Sequence, residues 1–84
     1  MEKDIEKRIM HDFGTNASEA VILMEAFETK NKLSPRVSRC IIHLAEGDID
    51  KLKNNIKVAE CDWRDVIMWA EPVPLCYNKP FDDQ

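Results

Sequence analysis

Eighty-four residues, 44% apolar and 33% charged, have the composition of one globular domain with a small core, not that of a disordered chain. The three cysteines, Cys40, Cys61 and Cys76, contain no CxxC pair, and no N-terminal apolar run follows a basic start, which argues against a secreted disulfide scaffold. The same cysteine pattern makes a reducing cytoplasm the expected compartment, and the longest apolar run, Ala20 to Met24, falls far short of the roughly 20 residues of a membrane span.

The net charge of −4 is unevenly distributed. Residues 1–29 carry three basic and seven acidic side chains, residues 30–57 seven and three, and residues 58–84 two and six. A basic middle between acidic ends bears on partners and solubility, and its plainest reading is a set of solvated helix faces.

Five short helices are predicted. The first spans about Glu2 to Phe13, where Ile5, Ile9 and Phe13 form a narrow apolar stripe, Asp4 and Arg8 can pair on the outer face, and Gly14 supplies the left-handed stop. Asn16 is expected to cap the second helix, with Glu19 reaching back in a capping-box arrangement. Ala20, Leu23, Met24 and Phe27 form its stripe. Val21, Ile22 and Ala26 widen that stripe until the helix is apolar most of the way round, which predicts a place at the centre of the core.

Ser34-Pro35 is a strong start signal for the third helix, since serine caps and proline at the first helical position loses no needed hydrogen bond. Val37, Cys40, Ile41, Leu44 and Ala45 continue with helical spacing to Gly47. Asp48 is expected to cap a fourth helix with Ile49, Leu52, Ile56 and Ala59 inward and Lys51, Lys53 and Lys57 outward. Asp62 is expected to cap a fifth, with Trp63, Val66, Ile67 and Ala70 on one side and Met68 and Trp69 partly off it, ending at Glu71-Pro72. The fold class is thus all-α: a compact bundle over residues 1–71 and an extended, proline-containing tail over residues 72–84. Apolar Val73, Leu75, Tyr77 and Phe81 give the tail two readings, packed across the helices or acting as a partner-binding peptide.

No catalytic, cofactor or metal motif is apparent. His11, His43 and Cys40 could be imagined as a metal or Cys-His site, but zinc ligands normally come in closely spaced pairs, and helix-surface imidazoles with a buried thiol are the expected reading. With glycine only at Gly14 and Gly47, no phosphate-cradling loop can be built. The segment Cys61 to Glu71, with two tryptophans around Arg64, has the composition of a binding hot spot. Trp63 and Trp69 are nevertheless expected first as core fillers, and the partner surface of Trp63, Arg64, Trp69, Tyr77 and Phe81 as the alternative.

The run Leu33 to Asp48, continued by Lys51-Leu52 and by Asp65 to Glu71, resembles a family of small bacterial proteins with no assigned activity. The resemblance covers a little under half the chain and implies a bacterial source and a compact helical unit, with no functional residues to carry over. More locally, Leu33-Ser34-Pro35-Arg36 followed by Leu44-Ala45-Glu46-Gly47 looks like the first helix of the helix-turn-helix domain in quorum-sensing and response-regulator transcription factors. The segment that would then be the recognition helix, Trp63 to Glu71, has one basic residue against Asp62, Asp65 and Glu71, which disfavours DNA. Arg36, Arg39, Lys51, Lys53 and Lys57 would be the nucleic-acid contacts on that reading.

The expectation is a non-enzymatic, cofactor-free interaction or regulatory module, its partner another protein or a second copy of the chain. A DNA-binding accessory factor is the main rival. An acidic phage or mobile-element inhibitor acting through Glu2, Asp4, Glu71, Asp82 and Asp83 is the third reading.

Overall fold

The computed structural model describes residues 1–71, and the predicted tail over residues 72–84, with Tyr77, Phe81, Asp82 and Asp83, lies outside the described residues. The described chain is all-helical: α1 (Lys3–Phe13), a 3₁₀ turn (Gly14–Asn16), α2 (Ala17–Asn31), α3 (Pro35–Ala45) and α4 (Ile49–Ala70). Its radius of gyration, 11.4 Å, matches the roughly 11 to 12 Å of a compact domain of this size. Four α-helices stand among the described residues where five were predicted, the predicted fourth and fifth being joined across a kink at Asp62. Only Asp62 inside α4 leaves helical geometry (φ −155°, ψ 97°). Its carboxylate accepts from the Arg64 backbone N–H at 3.1 Å, so it caps the segment that follows the kink, as expected.

α1 buries Ile5, Ile9 and Phe13 as its spacing dictates. Gly14 follows at φ 52°, ψ −117°, a region open essentially to glycine alone. The expected Asn16 capping box is absent: Asn16 makes no side-chain cap bond, since the 3₁₀ turn already delivers the chain into α2. Nor is α2 the central helix. It buries one stripe, Ala17, Ala20, Met24 and Phe27, while Ile22 is 67% exposed on its far side.

The central helix is α3, which buries every residue from Val37 to Ile42. Pro35 opens it as read, though Ser34 makes no side-chain cap bond. Two of the buried residues, Ser38 and Arg39, are polar, and each has a partner on another helix. Ser38 Oγ donates to Glu28 on α2 at 2.7 Å, and Arg39 Nε donates to Asp4 on α1 at 2.9 Å. Asp4 therefore faces α3, not Arg8 as its spacing had suggested, and Arg8 turns to Asp12 at 2.7 Å. Asn55, buried on α4, donates to the Ile41 carbonyl at 3.5 Å.

The α3–α4 connection is tight. Glu46 takes the left-handed position (φ 52°), Gly47 follows at φ 78°, and Asp48 caps α4 by accepting from the backbone N–H groups of Asp50 (2.8 Å) and Lys51 (3.2 Å). A Cβ on Gly47 would lie 2.3 Å from the Asp12 carbonyl oxygen, so this turn is pressed against the end of α1. Gly47→Ala should therefore cost about 2 kcal/mol or more in urea unfolding, combining the positive φ with a backbone clash. Gly14→Ala, with open space around the Cβ, should cost only the conformational part.

Candidate functional site

Two surfaces carry chemistry: the second half of α4 and a cleft between the ends of α1 and α3. On α4, the cap at Asp62 restarts the helix and fixes which side chains face inward. Val66 and Ala70 are buried, Ile67 is half-buried, and Trp63, Met68 and Trp69 are 42%, 66% and 52% exposed. The two tryptophans are thus not core fillers. The short inward face of this segment is filled by Val66 and Ala70, and the indoles stand to either side of it. Arg64, exposed beside them, donates through Nε and Nη2 to Asp62 at 3.1 and 3.3 Å. These bonds and that from the Arg64 N–H hold the Asp62 carboxyl below its ordinary range, and the same pairing raises Arg64.

The proposed nucleic-acid contacts separate into two groups. Arg39 is buried against Asp4, whose hydrogen bond holds its charge in place against the desolvation of burial. Arg36 grips Glu71 through Nε at 3.0 and 3.2 Å and also through Nη2. Both arginines are therefore structural pairs. Lys51, Lys53 and Lys57 are exposed on α4, with Lys51 3.6 Å from Glu46 and Lys53 3.5 Å from Glu19.

The second surface was missed in the sequence as a unit. Arg8, His11 and Asp12 on α1 and His43, Leu44 and Glu46 at the end of α3 line one cleft of about 630 Å³. The signal was present as spacing, since residues three and four apart share a helix face. Only the packing of Gly47 on α1 brings the two faces together. Asp12 is shared, receiving Arg8 Nε at 2.7 Å on one oxygen and lying 2.9 Å from His11 Nδ1 on the other. Burial, with help from Arg8, pushes the His43 imidazole below its ordinary value near 6.5, while Glu46 and Asp12 oppose the shift. The cleft can orient an imidazole and exchange protons, but its lining offers no hydroxyl or thiol nucleophile.

Cys40 does not join these histidines. It is fully buried, and its thiol donates to Glu71 at 3.7 Å. Among the described residues no three His, Cys, Asp or Glu side chains are placed to share a metal ion, and no helix is long and apolar enough to cross a membrane.

No protein-family model, curated protein or solved structure matches the chain.

Because the folded-state pKa of His43 lies below its unfolded value, protonation favours the unfolded chain. The stability tied to His43 is present above about pH 6.5 and is lost as pH falls through the folded value. Urea unfolding at a series of pH values should show this decline, and His43→Gln should flatten the slope just below pH 6.5. An unchanged slope in that variant would assign the decline to another group.

Proposed function

We propose that the chain is a non-enzymatic helical module that binds another protein through the second half of α4. The observation that supports this most is the exposure of Trp63, Met68 and Trp69 within two turns of one helix, while Val66 and Ala70 on the same segment are buried. Large apolar side chains left in water are costly, and Trp and Arg are the types most often found to dominate binding energy. Arg64 adds a cation beside the indoles. The complementary partner surface has an apolar recess for the indoles and a carboxylate or an aromatic face for Arg64. A bacterial cytoplasmic setting accompanies this reading, on the resemblance and on three cysteines with no CxxC pair among them.

The nucleic-acid reading has less to support it. Arg36 and Arg39 are committed to Glu71 and Asp4, and an acidic chain gains little from counterion release.

Trp69→Ser and Trp63→Ser should each weaken capture of the partner by about 10- to 30-fold, the range of a binding hot spot, while moving the melting temperature by only a few degrees. Crosslinking followed by quantitative mass spectrometry, beside a thermal melt, measures both. Capture that is insensitive to these changes, or that declines only in step with stability, would overturn the proposal.

A further inference from the structure

We draw no further inference here: the strongest candidate, the cleft that Arg8, His11, Asp12, His43 and Glu46 line between the ends of α1 and α3, sets cations and carboxylates side by side and, among the described residues, has no three His, Asp or Glu side chains placed to share a metal ion, so nothing in the structure shows what would occupy it.

Discussion

The buried pairing of Asp4 with Arg39 is the constraint on which the arrangement depends. A guanidinium only 6% exposed and a carboxylate 9% exposed can occupy the interior only if each satisfies the other, because an unpaired buried charge is strongly destabilising. That requirement fixes α1 against α3 in register and rotation. Ser38 with Glu28 does the same for α2, and Arg36 with Glu71 for the end of α4. α3 thus buries even its polar side, with three other helices supplying its partners, and becomes the axis of the domain.

Placing α3 at the centre determines what the other helices can expose. α2 needs only one apolar stripe, which leaves Ile22 outside. α4 is long enough to pack on α3 from the connecting turn to the first turn of α3, so its second half turns Val66 and Ala70 inward and leaves Trp69 and Met68 largely exposed. The exposure of the two tryptophans is therefore a consequence of the packing. The histidine cleft follows from the same order, since Gly47 closes on the Asp12 carbonyl and sets the last turn of α3 beside that of α1.

What was legible in the sequence was local. Ile5, Ile9 and Phe13 declared their stripe, Pro35 began a helix, and Asp48 and Asp62 capped where their side chains could reach free amides. What was not legible was tertiary. Arg39 was read only as a nucleic-acid contact and Ser38 carried no signal, because their partners lie 35 and 10 residues away and no spacing rule connects them. The widened apolar surface of α2 pointed to the wrong central helix for that reason. The tryptophans misled because residue size argued for the core, while the short inward face of their segment had room only for valine and alanine. The candidate binding segment itself was visible as composition, and its exposure required the fold.

The account is tested most directly by a double-mutant cycle on Asp4 and Arg39, read by urea unfolding. Asp4→Leu and Arg39→Met alone should each cost about 3 kcal/mol, because each leaves a buried charge without its partner, and the double variant should recover most of that loss. Single losses under about 1 kcal/mol that simply add would match an exposed surface pair, and would contradict a domain organised around the buried polar side of α3.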